Sequence, residues 1–284
     1  MTITWLGRLA YYILPYRKDV IRKNLSVVYK QPLSKKEEKR FIQAVYSYYL
    51  TCIKTCFQLA YRFKKTISQG IQLQGKENLE VAYAKNKGVI ILCGHLGSFQ
   101  LASIWTHQFL KHLAPFHVVL KPISTKWIED LFYRGFKNVG MRIISSHEGL
   151  KLIPKILKQN QCVFFAFDQH TKMNPKTAIN VDFFGERAST YRSLATLVRL
   201  TKATVIPAHT YRVKNGQHVA QYLPELEWIT ANTKEEEIYL NTLNYNKSLE
   251  QMILKAPTQW FWTHRRWKLD PDFYKSHIPQ ETHE

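Results

Sequence analysis

Cysteine is scarce in this sequence, and its few copies form no recognisable chemical motif. The four residues Cys52, Cys56, Cys93 and Cys162 lack the spacings of a zinc site or a dithiol redox motif. The histidines likewise share no metal-ligand spacing, so no metal site is predicted. We expect all four thiols to be reduced core residues of a protein from a reducing compartment.

The sequence also lacks a long apolar run. No stretch reaches the roughly 20 residues that a membrane-spanning helix requires. Residues 3–14 are apolar and aromatic but are interrupted by Arg8, and no small-residue cleavage site follows them. The segment predicts either an interfacial helix, with Arg8 reaching towards the lipid headgroups, or a helix packed on the body of the protein.

Acidic residues are also few relative to basic ones. The 284 residues include 41 Lys and Arg but only 21 Asp and Glu, a net charge of +20. Residues 1–70 alone hold 14 basic and 3 acidic residues, a net charge of +11 that overlaps the apolar N-terminal segment. This excess predicts a polyanionic partner, and its position favours an anionic membrane lipid over a merely solvated basic face.

An aromatic and basic segment at residues 259–268 could also suggest binding to single-stranded nucleic acid. No nucleic-acid recognition motif accompanies it, so we do not predict a nucleic-acid partner. The alternatives are contact with lipid phosphate at a membrane boundary and packing of the tryptophans on the core.

The hydrophobic periodicity divides the chain into two parts. Residues 1–65 are helical in pattern: Pro15 ends a first helix, a second covers 19–29, and Ser34 to Glu37 form a capping box that opens a third. After residue 71, β-rich runs alternate with helical stretches, which is typical of an α/β sheet covered by helices. The predicted strands are 88–93, 116–120, 141–144, 162–167, 204–211, 218–222 and 226–229. The predicted helices between and after them are 98–111, 124–138, 148–159, 190–201 and 234–254.

We therefore predict an α/β fold with a mixed central sheet flanked by helices. An N-terminal helical, membrane-associating segment covers residues 1–65, and an α/β domain covers residues 66–284.

One strand ends in a pattern that suggests chemistry. The apolar run 89–93 is followed by Gly94, His95 and a tight turn through Gly97 and Ser98, where Ser98 could cap the next helix. Ligands bind at the carboxyl ends of strands in open α/β sheets, and a neutral histidine there can take a proton from an alcohol. The alternative is an ordinary hydrogen-bonded or exposed histidine. Cys93 as a nucleophile is disfavoured, because its side chain is expected to point into the sheet.

The residues from His95 to Gln100 resemble the His-x4-Asp/Glu block of the lysophospholipid acyltransferase superfamily. The nearest branch is the lipid A biosynthesis late acyltransferases, the lauroyl and myristoyl transferases. The likeness extends in the family's order over nearly the whole chain. Its further segments are Leu6-Gly7 to Asn24-Leu25, Lys121-Pro122 to Gly140, Phe167-Asp168-Gln169 with Phe183-Phe184-Gly185, Val205-Ile206-Pro207-Ala208, and Gln259-Trp260 to Trp267-Lys268.

The resemblance implies an O-acyltransferase at the cytoplasmic face of the inner membrane, associated with it peripherally or monotopically. The acyl chain would come from an acyl carrier protein or coenzyme A thioester, with no resident cofactor and no acyl-enzyme. The acceptor would be a hydroxyl of a lipid A precursor-type glycolipid, or alternatively a lysophospholipid or another lipid. By the same resemblance His95 is the catalytic base, and the predicted substrate-binding residues are Lys121, Arg134, Asp168, Gln169, Arg187 and Arg265.

One position departs from the family pattern. Gln100 stands where the family has Asp or Glu, and we expect its side chain to hydrogen-bond the His95 ring without supplying a negative charge. Three explanations stay open: a slower enzyme, another carboxylate such as Glu129 or Asp130 in the same role, or a lipid-binding protein with weakened catalysis.

Overall fold

The computed structural model describes residues 2–146, 148–172, 174, 176–213 and 215–268. Most of the described strands form one seven-stranded sheet, and two form a separate hairpin. The strands are β1 (Gln72–Gln74), β2 (Val89–Cys93), β3 (Phe116–Leu120), β4 (Arg142–Ser145), β5 (Cys162–Ala166), β6 (Ala178–Phe183), β7 (Glu186–Tyr191), β8 (Thr204–Arg212) and β9 (His218–Tyr222).

The sheet has the order β1-β9-β8-β2-β5-β3-β4, and β6 pairs with β7 outside it. All neighbours in the sheet run parallel except β8 and β9, which are antiparallel. The predicted mixed central sheet is therefore confirmed.

Helices cover both faces of this sheet. They are α1 (Trp5–Ile13), α2 (Lys18–Tyr29), α3 (Lys35–Tyr61), α4 (Phe63–Ser68), α5 (Lys76–Ala84), α6 (Phe99–Leu110), α7 (Lys126–Asn138), α8 (Gly149–Lys158), α9 (Ser193–Thr201) and α10 (Lys234–Lys255), with a short 3₁₀ turn at Pro257–Gln259. None of the helices described has both the length and the apolar character needed to cross a bilayer.

Strands β2 and β5, at the centre of the sheet, are apolar at every position because both sheet faces are buried there. In β2, Ile90 and Leu92 belong to one core cluster, and Val89 and Ile91 belong to the other. Side chains alternate across a strand, so this run supplies both layers at once. The carboxyl end of β2 is thereby fixed between two packed layers, and the residues that follow it begin from a rigid base.

The N-terminal segment is helical, as its periodicity predicts. The Ser34–Glu37 capping box is present at the start of α3: the Ser34 hydroxyl accepts from the Glu37 amide, and the Glu37 carboxylate accepts from the Ser34 amide. Helix α1 packs on α3 through its small residues, since a Cβ at Gly7 would lie 1.9 Å from the Ser47 hydroxyl. Its large apolar side chains remain exposed, and they are Trp5, Leu6, Leu9, Tyr12 and Ile13.

One predicted strand is wrong, and several elements were not predicted. Residues 226–229 form no strand because the Asn241 side chain of α10 binds both the N–H and the C=O of Ile229, at 3.0 and 2.7 Å. The hairpin β6–β7, the short strand β1 and helices α4 and α5 have no strong periodic signal in the sequence. The predicted helix 190–201 begins only at Ser193, because β7 extends to Tyr191.

Candidate active site

The parallel register of β2 and β5 brings His95 next to Asp168. Cys93 pairs with Ala166, so residues two positions further along the two chains meet at the carboxyl edge of the sheet. The His95 Nδ1 atom lies 2.8 Å from Asp168 Oδ1. Two residues that lie 73 positions apart in sequence therefore form an imidazole–carboxylate pair where α/β proteins usually bind ligands.

The Asp168 carboxylate is buried and fully engaged. Its Oδ2 atom accepts hydrogen bonds from the backbone N–H of His95, at 3.0 Å, and from the indole N–H of Trp260, at 2.8 Å. Gly94 permits this close approach, since a Cβ there would lie 3.3 Å from the carboxyl carbon of Asp168. Because a carboxylate only accepts, the imidazole proton sits on Nδ1 and the lone pair on Nε2.

The two groups shift each other's pKa. Burial of the His95 ring opposes its charged form, but the charge of Asp168 and its hydrogen bond outweigh burial and raise the pKa of His95 above its ordinary value of 6.5. Burial would by itself raise the pKa of Asp168. The charge of His95 and the hydrogen bonds from His95 and Trp260 instead hold that pKa well below its usual range. Asp168 is thus ionised at neutral pH, and it stabilises the imidazolium that forms when His95 takes a proton.

The turn that carries His95 is clamped from three sides. Gly97 has a φ of +52°, in the left-handed region, and a Cβ there would lie 2.2 Å from the Thr210 carbonyl oxygen. The Thr210 hydroxyl donates to Leu96 O at 2.6 Å, and the Tyr48 hydroxyl donates to Gly97 O at 2.9 Å. The Gly97 N–H donates to Gln259 O at 2.9 Å. The imidazole is therefore held by α3, β8 and the segment after α10 together.

Aromatic rings surround the exposed part of the imidazole. Phe99 and Phe261 lie with their ring centroids 5.0 and 6.1 Å from that of His95. The His95 side chain keeps 26% of its surface exposed, whereas Asp168 keeps 2%. The Gln169 amide nitrogen lies 3.5 Å from each ring nitrogen, which is long for a hydrogen bond. The exposed part of the imidazole thus borders apolar rings, which suit an acyl chain.

This arrangement can serve as a general base for an alcohol, and comparison with known proteins assigns it to a family. A model of the bacterial lipid A biosynthesis acyltransferase family matches residues 2–269. The chain belongs to that family. The resemblance found in the sequence is therefore confirmed over nearly the whole chain, and the chain is an O-acyltransferase.

The similar proteins are distant in sequence but are aligned over most of their length. A lipid A biosynthesis palmitoleoyltransferase of Escherichia coli K12 is 24% identical over 270 residues, which cover 94% of this chain and 84% of that protein. A lipid A biosynthesis lauroyltransferase of the same organism is 22% identical over the same coverage. A phosphatidylinositol mannoside acyltransferase of Mycolicibacterium smegmatis is 20% identical, covering 89% of this chain and 80% of that protein.

Gln100 does not have the environment that the family pattern suggested. Its side chain is buried in α6, where the amide donates to the Phe132 carbonyl and the amide oxygen accepts from the Cys56 thiol at 3.0 Å. No described hydrogen bond joins Gln100 to His95, so the predicted hydrogen bond to the imidazole is wrong. Glu129 and Asp130 do not replace it either, since both bind Lys126 on α7. Asp168 supplies the carboxylate that the ring contacts.

The predicted cationic residues are exposed and dispersed. Lys121 follows β3, and its carbonyl accepts from the Tyr133 hydroxyl at 3.0 Å. The Arg134 guanidinium lies over the Tyr61 ring, 5.2 Å from its centroid. Arg187 faces Asp182 across the β6–β7 hairpin, and Arg265 is exposed after Phe261. The described contacts of Lys121, Arg134 and Arg187 do not include the His95–Asp168 pair, so their substrate-binding roles stay predictions.

Trp260 is the functional residue that sequence reasoning missed. Its ring is buried, and its indole N–H helps to fix the carboxylate that orients His95. Within an aromatic-rich segment nothing in the sequence distinguishes it from Trp262 or Trp267. Cys93, the other group beside His95, is unsuited to be a nucleophile, because burial raises the pKa of its thiol to about 12.

Proposed function

We propose that this protein transfers a fatty acyl chain from a thioester to a hydroxyl of a lipid A precursor-type glycolipid. The observation that carries the proposal is the imidazole of His95, held on its Nδ1 side by the buried Asp168 and accessible on the other side. The similar proteins named lipid A palmitoleoyltransferase and lauroyltransferase support this acceptor class. The donor would be an acyl carrier protein or coenzyme A thioester, acting as co-substrate without a resident cofactor or metal.

The proposed reaction needs one base and no covalent enzyme intermediate. His95 Nε2 takes the proton of the acceptor hydroxyl as its oxygen attacks the thioester carbonyl carbon. The tetrahedral intermediate then breaks its C–S bond, and the leaving thiolate recovers the proton from the imidazolium. Asp168 stays ionised throughout and accepts the hydrogen bond from the Nδ1–H of His95. The products are an ester and a free thiol, so atoms and charge balance.

The surface of the protein supports a location at the cytoplasmic face of the inner membrane. The net charge of +20 favours an acidic carrier and an anionic leaflet alike. Helix α1 exposes Trp5, Leu9 and Ile13 while it packs on α3 through Gly7, so its apolar side remains free to enter lipid. This is the arrangement of an interfacial helix rather than of one that packs its large side chains on the protein body.

The direct test is a transfer assay with purified full-length protein in lipid–detergent micelles. Radiolabelled acyl-carrier-protein and coenzyme A thioesters are offered with a phosphorylated lipid A precursor glycolipid. Wild type should esterify the glycolipid, and His95→Ala should lower the rate on the order of 10²- to 10⁴-fold, the usual contribution of a general base. Exposed His112→Ala is the matched control. Wild-type rates in His95→Ala would remove the imidazole from the mechanism.

A second acceptor class is favoured by one observation. The similar phosphatidylinositol mannoside acyltransferase is named for another glycosylated lipid, so the same scaffold accompanies more than one acceptor. A panel containing a lysophospholipid and a mannosylated phosphatidylinositol, assayed beside the lipid A precursor, separates these alternatives by kcat/KM. Stoichiometric lipid binding without turnover on any donor would instead favour a lipid-binding protein with weakened catalysis.

A further inference from the structure

A second concave site lies against the turn that carries His95. This cavity, of about 760 Å³, is bounded by the start of α1, the middle of α3, the end of β8 and the 3₁₀ turn after α10. Ser98, three residues after His95, forms part of its wall. The cavity therefore adjoins the turn that carries His95, although neither His95 nor any of the predicted substrate-binding residues lines it.

The described wall of the cavity carries two positive charges. Arg212 and Lys255 line it, and the described residues of its wall include no carboxylate. The hydrogen bonds described for both side chains go to neutral oxygens: Arg212 Nε donates to Gly216 O at 3.0 Å, and Lys255 Nζ donates to Gln221 Oε1 at 2.9 Å. Two cations held together without an acidic partner among the described residues favour an anionic ligand.

The backbone of Arg212 is held in place by Gln259, and its guanidinium is bonded to the nearby Gly216 carbonyl. The Gln259 side chain accepts from the Arg212 N–H and donates to the Arg212 C=O, both at 2.8 Å. Gln259 also belongs to the segment that binds the catalytic turn through Gly97. Gln259 thus connects the His95 turn to the backbone that carries Arg212.

The cavity wall offers hydroxyl donors beside the two cations. Ser98 is 7% exposed, and among the described residues its hydroxyl has no hydrogen-bond partner, although it stands at the start of the twelve-residue helix α6. Tyr211 and Thr258, which also carry hydroxyl groups, line the same space. Hydroxyl donors, a helix start and two cations are the groups that proteins combine to bind phosphate.

The position of α1 beside the cavity suggests where the phosphate comes from. Thr4, the residue that caps α1, lines the cavity, and the exposed Trp5 follows it directly. A lipid headgroup at the level of an interfacial α1 would therefore lie close to the cavity. We propose that the cavity formed around Arg212, Lys255 and Ser98 binds a phosphate group of the phosphorylated acceptor lipid. This assignment rests on the proposed function, and it places the phosphate away from Arg134 and Arg187, which the sequence predicts to bind substrate.

Binding is measured on the full-length His95→Ala protein, which cannot turn the ligands over. The probes are phosphatidic acid in mixed micelles, diacylglycerol in the same micelles, and coenzyme A, each titrated by calorimetry. Phosphatidic acid should bind more tightly than diacylglycerol. Arg212→Gln and Lys255→Gln should each weaken phosphatidic acid binding roughly tenfold, as expected for a lost charged hydrogen bond, and leave diacylglycerol unaffected.

Kinetics in the wild-type background identify the source of the phosphate. A rise in KM for the phosphorylated glycolipid, with KM for the thioester donor unchanged, assigns the cavity to the acceptor. A rise only in the donor KM assigns the phosphate site to the donor and overturns the acceptor assignment. Arg142→Gln and Lys158→Gln, both exposed and outside the cavity, are the charge-matched controls. Ser98→Ala is the smaller second variant, and its phosphatidic acid affinity should also fall.

The proposal is overturned if the Arg212→Gln/Lys255→Gln double variant, shown folded by its thermal transition, binds phosphatidic acid and uses both substrates as the wild type does. Its failure is distinct from failure of the proposed function. If the protein binds phosphatidic acid through Arg212 and Lys255 but transfers no acyl chain from any thioester, the proposed function is wrong and the phosphate site is retained.

Discussion

At the scale of single residues, the chemistry depends on Asp168 rather than on Gln100. The carboxylate contacts the His95 ring and binds two further donors, so it is both charged and fixed. Gln100 lies at the same carboxyl edge of β2, but its amide connects α6 to α3 and α7 through Cys56 and Phe132. The residue that departs from the family pattern thus has a structural role here.

Asp168→Asn should lower kcat on the order of 10²- to 10⁴-fold and shift the pH profile. His95 works as a base only when neutral, so kcat/KM falls as pH drops through its pKa. Asp168 raises that pKa above 6.5, and without the carboxylate burial lowers it, so the acid limb should move to lower pH. Asp182→Asn, outside the His95 site, is the control. An acid limb that does not move in Asp168→Asn would contradict the coupling.

Gln100→Glu should fail to accelerate the reaction. The new carboxylate would face the Phe132 carbonyl in a buried site and lose the donor that Gln100 supplies there. We expect the free energy of unfolding to fall by about 1–3 kcal/mol, the usual cost of an unsatisfied buried polar group. Thermal unfolding and kcat are compared with those of Gln58→Glu, the same change on α3. A large gain in kcat would show that a charge at residue 100 reaches the imidazole.

At the scale of elements, the sequence predicted the helices and strands that local hydrophobic periodicity specifies. Strands β2, β3, β5, β8 and β9 and the longer helices follow from apolar runs and capping residues, because local sequence specifies them. The pairing of His95 with Asp168 depends on which strand lies beside β2, and sheet order is a property of the folded chain. The predicted strand 226–229 does not form for a related reason, since the Asn241 side chain of α10 hydrogen-bonds the backbone N–H and C=O of Ile229.

The turn after β2 requires a glycine at position 97. Gly97→Ala places a Cβ against the Thr210 carbonyl, so it should displace the turn and lower both stability and kcat. Gly140→Ala is the matched control, because Gly140 also has a positive φ but nothing lies within 4 Å of the added Cβ. The control should cost only about 1–2 kcal/mol for the left-handed conformation. Equal losses of stability and kcat in the two variants, measured by thermal unfolding and transfer assay, would show that the clamp is unimportant.

Helix α1 exposes apolar side chains that we expect to contact lipid. Leu9→Asp removes an exposed apolar side chain and adds a negative charge, so binding to anionic vesicles should weaken roughly tenfold or more, given about 1.5–3 kcal/mol for a buried Leu. Co-sedimentation with vesicles measures this. Leu200→Asp, on α9 and even more exposed, should bind as the wild type does. If both variants or neither variant lost binding, α1 would not be the lipid-contacting element.

At the scale of the whole molecule, the start of the apolar helix α1 and the turn that carries the general base both border the cationic cavity. The net charge and the exposed apolar face were visible in the sequence because they are sums over residues. The cavity was not, since its wall combines α1, α3, β8 and the segment after α10. Each part alone has an ordinary explanation, and their proximity is what supports the proposed acyl transfer from a thioester to a phosphorylated lipid.

The most direct measurement is mass spectrometry of the glycolipids from a strain that lacks the gene. The account predicts a lipid A-type glycolipid lighter by one ester-linked acyl chain. Expression of the wild-type protein should restore the missing chain, and His95→Ala, present at the same level, should not. An unchanged glycolipid profile in the deletion strain, or full restoration by His95→Ala, would contradict the central claim.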